Sequence, residues 1–338
     1  MASIRFPKVA ITGGGGYVGS ALVPYLIDRG YEVTVLDLFW YGDDIYPDLE
    51  GSGKLRKVKG DIRNEDDLRR AFEGQDAVLH LACVSNDPSF DLKPTLGKEI
   101  NYDCFAGILK TVKEAGVKRF IYASSSSVYG VKESPDVTET AECEPLTDYS
   151  KFKWMCEEDL RRADMGTTEW SIIRPATVCG YAPRLRLDLT VNILTISALA
   201  KKKITVHGGA QLRPNLNIRD MIRAYATFLE AGREQIHAKT FNVGFENRSV
   251  GDIAGLVKDV VNDPAVDLVV EPTHDHRSYH VNSDKVAREL GFKAEYTIQD
   301  AIASLAEAYR AGRMNDPLNN PLYYNIRRMK DLNLEIGQ

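Results

Sequence analysis

Apolar positions in the first half of the chain fall into short runs separated by stretches of helical spacing. Val9, Ala10 and Ile11 form a run of strand type, and Val18, Leu22 and Leu26 then recur at helical spacing. Gly30 stands where that helix would close with a left-handed cap, and "YEVTVLD" reads as a second strand ending at Asp37. The alternation continues. "LRKVKGDI" predicts a strand, "NEDDLRRAFEG" a helix, "AVLHLA" a strand, residues 95 to 116 one long helix, "RFIYASS" a strand, Tyr149 to Ala163 a helix and "WSIIRPATV" a strand. Strands separated by helices imply an α/β chain built on a doubly wound parallel sheet of Rossmann type, with its ligand crevice at the carboxyl ends of the strands.

Past about residue 180 the pattern loosens. "GYAPRLRLDL" is rich in Pro and Arg. Helices are expected near 190–201, 251–261 and 299–311, a strand near 267–271, and "KTFNVG" (239–244) as a late strand that rejoins the sheet. The expected division is a dinucleotide-binding domain over 1–180 and, over 181–338, mainly a smaller substrate-binding lobe with a tail. That tail, "NDPLNNPLYYNIRRMKDLNLEIGQ", has Pro and Asn punctuation, no firm period and no assigned role.

Composition narrows the field. At 338 residues with a formal net charge of −5, the chain offers no broad attraction for nucleic acid or an anionic membrane. No apolar segment approaches the length of a membrane span, and "MASIRFPKV" leads into a strand rather than a signal-peptide core, so the cytoplasm is the expected compartment. The five cysteines are odd in number and show no C-x-x-C pair, which reads as reduced thiols. His274 and His276 flank Asp275 at a spacing that suits a solvated loop as well as a metal, and no metal is expected.

Candidate chemistry begins with "TGGGGYVGS", which joins the first strand to the first helix. Glycine suits a tight turn with positive φ, and it lets a phosphate approach the N–H groups at a helix start, where the peptide dipoles favour an anion. Asp37 ends the second strand, where a carboxylate accepts both ribose hydroxyls of an adenosine and repels a 2′-phosphate. With no Arg or Lys from 30 through 53, NAD(H) is favoured over NADP(H). The register stays ambiguous on spacing alone, since Gly14, Gly16 and Gly19 fit one glycine pattern and Gly13, Gly16 and Gly19 another.

A second cluster is "SSSSVYG" (124–130) with "YSKFK" (149–153). Tyr149 and Lys153 share one face of the expected helix, and the serines lie at the carboxyl end of a strand. A phenol with an ordinary pKa of about 10 is a poor base, but a neighbouring ammonium and a positively charged nicotinamide would favour its phenolate. Tyr149 then takes a proton from a substrate hydroxyl while hydride leaves the same carbon.

In order, "TGGGGYVGS", "GDI", "HLA", "INYD", "SSSSVYG", "YSKFK" and "RPATVCG" resemble the extended short-chain dehydrogenase/reductases, specifically the NAD-dependent nucleotide-sugar epimerase/dehydratase family. The resemblance runs from Lys8 to about Phe292 and selects Gly13, Gly16 and Gly19 as the turn. It implies that Tyr17, Val18, Leu81, Ala82 and Pro175 line the cofactor, that Asp61 and Ile62 contact adenine, and that Asn101 supports the catalytic helix. It further implies Ser125 as the hydroxyl that binds the reacting group, Tyr149 as acid/base, and Lys153 on the nicotinamide ribose. Arg213 and Arg277 would clamp the sugar-nucleotide phosphates, Asn192 would touch the nucleotide diphosphate or sugar, and Thr177 would face the sugar.

Departures from the family pattern weigh on the reaction. The 4,6-dehydratases carry Asp-Glu directly after the Ser/Thr, where this chain has Ser126 and Ser127; epimerases acting at carbons 3 and 5 place Cys at Ser127. Thr177 replaces the Asn common in 4-epimerases, and Cys179 beside it is either a core thiol, which is favoured, or an unusual proton donor. The expectation is a nucleotide-sugar 4-epimerase with NAD as cofactor, working as a homodimer through the helices near 95–116 and 149–163. A keto-sugar reductase or dehydrogenase with the same triad, and an NAD-binding scaffold without activity, stand as alternatives.

Overall fold

A computed structural model of the protein describes residues 4–85, 87–132, 134, 136–273, 278 and 280–334. Its centre is a seven-stranded, all-parallel sheet. The strands are β1 (Lys8–Thr12), β2 (Glu32–Asp37), β3 (Leu55–Lys59), β4 (Ala77–His80), β5 (Arg119–Ala123), β6 (Glu169–Pro175) and, after three strands that lie elsewhere, β10 (Lys239–Val243). Their order across the sheet is β3-β2-β1-β4-β5-β6-β10. Chain order therefore reverses at β1, where its neighbours are β2 on one side and β4 on the other. That is the switch point at which such sheets open a crevice.

Both faces of the sheet are covered, which is why its central strands are nearly continuous apolar runs rather than alternating ones. On one face Val9, Ile11 and Leu79 pack with α1 (Tyr17–Asp28); on the other Ala10, Val78 and Phe120 form a second core with α2 (Glu65–Phe72). The expected long helix at 95–116 is interrupted. α3 (Asp87–Leu92) and α4 (Pro94–Lys98) lead into a π-turn at Glu99–Asp103, where Cys104 N–H donates to Glu99 O, and α5 (Phe105–Glu114) follows. π-turns inside helices often mark functional sites, and this one carries Asn101.

α6 (Asp148–Arg162) starts with a reciprocal cap in which Thr147 Oγ1 accepts from Ser150 N–H and Ser150 Oγ donates back to Thr147. That cap fixes the first turn, where Tyr149 sits. A chain of buried groups anchors the helix farther along. Arg174 Nε and Nη2 donate to the Glu157 carboxylate at 2.9 and 2.6 Å, Ser124 Oγ donates to the same carboxylate, and Arg174 Nη1 donates to Tyr129 OH. Tyr129 OH in turn donates to Asn242 Oδ1 on β10.

The remaining elements lie outside the central sheet. β7 (Thr177–Cys179), β9 (Leu212–Asn217) and β11 (Glu246–Ser249) form a three-stranded sheet; β8 (Lys203–His207) pairs with β12 (Asp267–Glu271). α7 (Thr190–Lys201), α10 (Val250–Val261) and α12 (Ile298–Arg310) bury a separate core around Leu194, Ile253 and Ile302. α8 (Ile218–Glu230) packs on α1, α9 (Arg233–Ile236) on β6, and α11 (Asp284–Leu290) on β10. The tail, unassigned from sequence, forms α13 (Asn325–Asp331), whose Met329 joins the core on the β4–β5 face. Among the described residues, no helix is long and apolar enough to cross a membrane.

Candidate active site

The carboxyl ends of β1, β2, β4, β5 and β6 open into one cavity of about 420 Å³. Its floor is the glycine turn. Gly13 has φ +75°, and a Cβ there would meet the Ala82 backbone at 2.6 Å; a Cβ on Gly19 would meet Gly14 O at 2.2 Å. These glycines let the turn, the loop after β4 and the start of α1 close on one another. α1 begins at Gly16 with no side-chain cap, so its first N–H groups face the turn without a protein acceptor from that position. Asp37 lines the same cavity, its carboxylate accepting from Gly15 N–H at 2.9 Å and Phe39 N–H at 2.7 Å. Burial raises its pKa, opposed by those two bonds.

Most of the remaining sequence-derived candidates reach this cavity: Gly16, Tyr17, Val18, Asp61, Ile62, Leu81, Ala82, Pro175, Thr177 and Arg213 all line it. Tyr17 does so with its hydroxyl already committed to Gly180 O. Two candidates stand behind the wall. Asn101 accepts from Val84 N–H at 2.8 Å and donates to Val84 O at 2.9 Å, while its own carbonyl accepts from Cys156 Sγ on α6. It braces the loop after β4 against α6 rather than contacting a ligand.

Asn192 is a correction. It is fully buried and outside the cavity wall; Gly180 N–H donates to its Oδ1, and its Nδ2 donates to Arg186 O and Tyr17 OH. Every polar atom of that amide is spent on shaping the turn after β7, so none is left to touch a nucleotide. Cys179 is likewise sealed, its Sγ against Leu216 O, as a core thiol. Arg277, and the His274–Asp275–His276 loop, lie outside the described residues.

Ser125, Tyr149 and Lys153 meet at the end of β5. Ser125 Oγ accepts from Ser127 N–H at 3.1 Å and from Ser127 Oγ at 2.8 Å, and Tyr149 hydrogen-bonds Ser125. Burial pushes the Tyr149 phenol well above its ordinary value, with Cys83 adding to the rise and Arg186 and Ser125 opposing it. Lys153 Nζ donates to Ala123 O at 2.7 Å, over the Tyr122 ring. Behind Lys153, His80 is held neutral, its pKa pushed down to about 3 by burial and then by Lys153, while its Nδ1 bonds Thr12 Oγ1.

Sequence reasoning missed several wall residues: Trp40, Tyr41, Cys83, Arg184, Arg186 and Asn325. The Arg-rich stretch after β7 was the one visible signal, and nothing in its spacing told which way its arginines turn. Arg186 pairs with Asp188 at 2.8 Å and lies close enough to Tyr149 to influence its titration.

The sequence profile of the NAD dependent epimerase/dehydratase family matches residues 9–244. The chain belongs to that family. It is similar to a UDP-glucose 4-epimerase of Lactobacillus helveticus, 26% identical over 322 residues that cover 88% of this chain and 95% of that relative. A dTDP-glucose 4,6-dehydratase of Salmonella typhimurium is 26% identical over 340 residues, 90% of this chain and 93% of the relative. In fold, this family member matches a dTDP-glucose 4,6-dehydratase of Streptomyces venezuelae solved with NAD (TM-score 0.82, 24% identity, 93% of this chain and 99% of that one). It also matches a UDP-glucuronic acid 4-epimerase of Bacillus cereus solved with UDP-glucuronic acid and NAD (TM-score 0.81, 24% identity, 90% and 99% coverage). The chain is thus an extended short-chain dehydrogenase/reductase, and its cofactor is NAD. The glycine cradle, the uncapped start of α1 and the carboxylate at the end of β2 fit that cofactor's phosphates and ribose.

Proposed function

We propose that the protein is a nucleotide-sugar 4-epimerase. The observation that carries this reading is the convergence of Ser125, Tyr149 and Lys153 on one cavity whose neighbouring positions 126 and 127 offer only hydroxyls. A 4,6-elimination needs an acid and a base at those positions, and epimerisation beside a carbonyl needs a proton donor there. Removing hydrogen at carbon 4 and returning it to the other face needs neither. The similarity to UDP-glucose 4-epimerases supports the same choice.

NAD, when bound, accepts hydride from the sugar and gives it back. The glycine turn and the start of α1 hold its phosphates, Asp37 its adenosine ribose, Asp61 and Ile62 its adenine, and Lys153 its other ribose. Tyr17, Val18, Leu81, Ala82 and Pro175 complete that wall, with Asn101 bracing it. Tyr149 Oη takes the proton of the sugar hydroxyl and later returns it. Burial raises the pKa of that phenol, and a nearby cationic charge favours its phenolate. Ser125 orients the reacting hydroxyl, with Ser127 Oγ donating to Ser125 Oγ. Thr177 faces the sugar, and Arg213 binds the nucleotide diphosphate. We also propose a homodimer formed through α5 and α6, where Met155 is exposed.

The test is incubation of the purified protein with a panel of nucleotide sugars in deuterated water without added reductant. The reading expects an isomer of unchanged mass carrying no deuterium. Deuterium in the product means enolisation, loss of water means a dehydratase, and turnover of a keto-sugar only with added NADH means a reductase.

A further inference from the structure

Arg184 lies just past β7, in the Pro- and Arg-rich stretch, and lines the cavity. Its backbone N–H donates to Ser20 Oγ at 3.1 Å, tying it to the first turn of α1. The guanidinium carbon sits 3.5 Å from the centroid of the Tyr41 ring, in the loop that follows Asp37. Nη2 donates to Asn325 Oδ1 at 2.7 Å. That asparagine is itself locked: the same Oδ1 accepts from Tyr41 OH at 3.0 Å, and its Nδ2 donates to Ser85 O and Oγ, both at 3.0 Å. Nearby, Arg328 Nε donates to Trp40 O. The C-terminal segment thus clips together the loops after β2, β4 and β7 around one guanidinium.

Among the described residues, no anion pairs with that guanidinium. Arg184 is 6% exposed, and no carboxylate among the described residues lies within 4 Å of it. Its Nε is sealed from solvent without any hydrogen-bond partner, and Nη2 is the side-chain nitrogen with a protein acceptor. Burying a charge without a counter-charge is costly. Asp37 and Asp188 act on it only through space, and Asp188 is engaged by Arg186. A planar fork, stacked on an aromatic ring in the wall of the cavity, suits a phosphate group.

We infer that Arg184 is a binding residue for the diphosphate of the dinucleotide, facing the glycine turn, and that Asn325 is its positioning residue. The inference rests on NAD as the cofactor. It assigns the diphosphate to the cofactor rather than to the sugar nucleotide because its anchors are Ser20 on α1 and Tyr41 beyond β2, both on the glycine-turn side of the cavity. In this arrangement the C-terminal segment completes the cofactor site, although it lies far outside the region matched by the family profile.

The test measures binding of NADH, ADP-ribose and UDP to the wild type and to Arg184→Gln, Arg184→Lys and Asn325→Ala, after exchange of co-purifying nucleotide, together with the melting temperature of each cofactor-free form. Arg184→Gln is expected to weaken NADH and ADP-ribose about 10- to 100-fold and UDP less than about twofold. Arg184→Lys recovers part of the loss, and Asn325→Ala gives a smaller loss, about three- to tenfold, for the same two ligands. The cofactor-free Arg184→Gln form melts no lower than the wild type, because the change removes an uncompensated cation. Unchanged NADH affinity with a lowered melting temperature overturns the inference in favour of a packing role. A loss for UDP alone overturns it in favour of the substrate's diphosphate. A wild type that takes up no NADH overturns the cofactor reading and this inference with it.

Discussion

Arg174 and Arg184 lie on the same chain ten residues apart, and both are almost sealed from solvent, yet their surroundings differ in kind. The Arg174 side chain is 2% exposed and meets a fully buried carboxylate in Glu157, with Tyr129 taking a further donor. Arg184 meets an amide and a ring. A buried polar network with matched donors holds structure together, whereas a buried cation that no described carboxylate pairs with is suited to an anionic ligand. The same division runs along α6. Its later turns, through Glu157, are bound into the satisfied network; its first two turns present Tyr149 and Lys153 to the cavity.

Substitutions on the two sides of that division should separate cleanly. The largest effect is expected on the cavity side. Tyr149→Phe removes the proton carrier and should lower kcat about 10²–10⁴-fold or more, with NADH affinity and unfolding free energy close to wild type. Steady-state rates beside a denaturant titration check it, and a stability loss as large as the rate loss would erase the distinction.

Next comes the network. Glu157→Gln leaves Arg174 without a counter-charge and should cost about 3–5 kcal/mol of stability, read from urea unfolding, while the folded fraction still binds NADH. Normal stability in this variant would mean that the two arginines do not differ as described.

A smaller change is expected at Asp37. Asp37→Asn keeps the shape but loses the charge that repels a 2′-phosphate, so the preference for NADH over NADPH should narrow about tenfold in direct binding. Part of any accompanying stability loss comes from weaker bonds to Gly15 and Phe39 N–H.

The most gradual is a slope with pH. His80 titrates at about 3 when folded, against 6.5 for the ordinary imidazole, so between those values the unfolded chain binds the extra proton. Stability is therefore fully present above pH 6.5 and falls as the pH drops toward 3, by at most about 1.4 kcal/mol per unit from this group. His80→Gln should flatten that part of the stability curve, and an unchanged slope would place the titration elsewhere.

Much of this was legible in the chain itself. Short apolar runs such as "KVAIT" and "AVLH" belong to strands covered on both faces, and they announce a parallel sheet because nothing in them alternates. The glycine turn and the Tyr149–Lys153 spacing are local, so a linear reading finds them. Other features depend on contacts that a linear reading does not see. The π-turn at Glu99–Asp103 interrupts an otherwise helical pattern in the stretch whose Asn101 reaches Val84. Asn192 was expected at the ligand only from the family resemblance, and its helix turns it toward the Gly180 turn. Arg184 and Asn325 are 141 residues apart, and the tail that brings them together has no periodicity to mark it. Amphipathic α8, Ile218–Glu230, was not among the expected helices.

The central claim is that hydride leaves the sugar and returns to it within one bound cofactor. With the substrate found from the panel, the direct test is a sugar deuterated at carbon 4, incubated with the enzyme in ordinary water and an excess of unlabelled free NAD. The account expects the epimer to keep its deuterium at carbon 4, with none in water or in the free nicotinamide pool. Deuterium washing into free NADH, or lost to solvent, would contradict it.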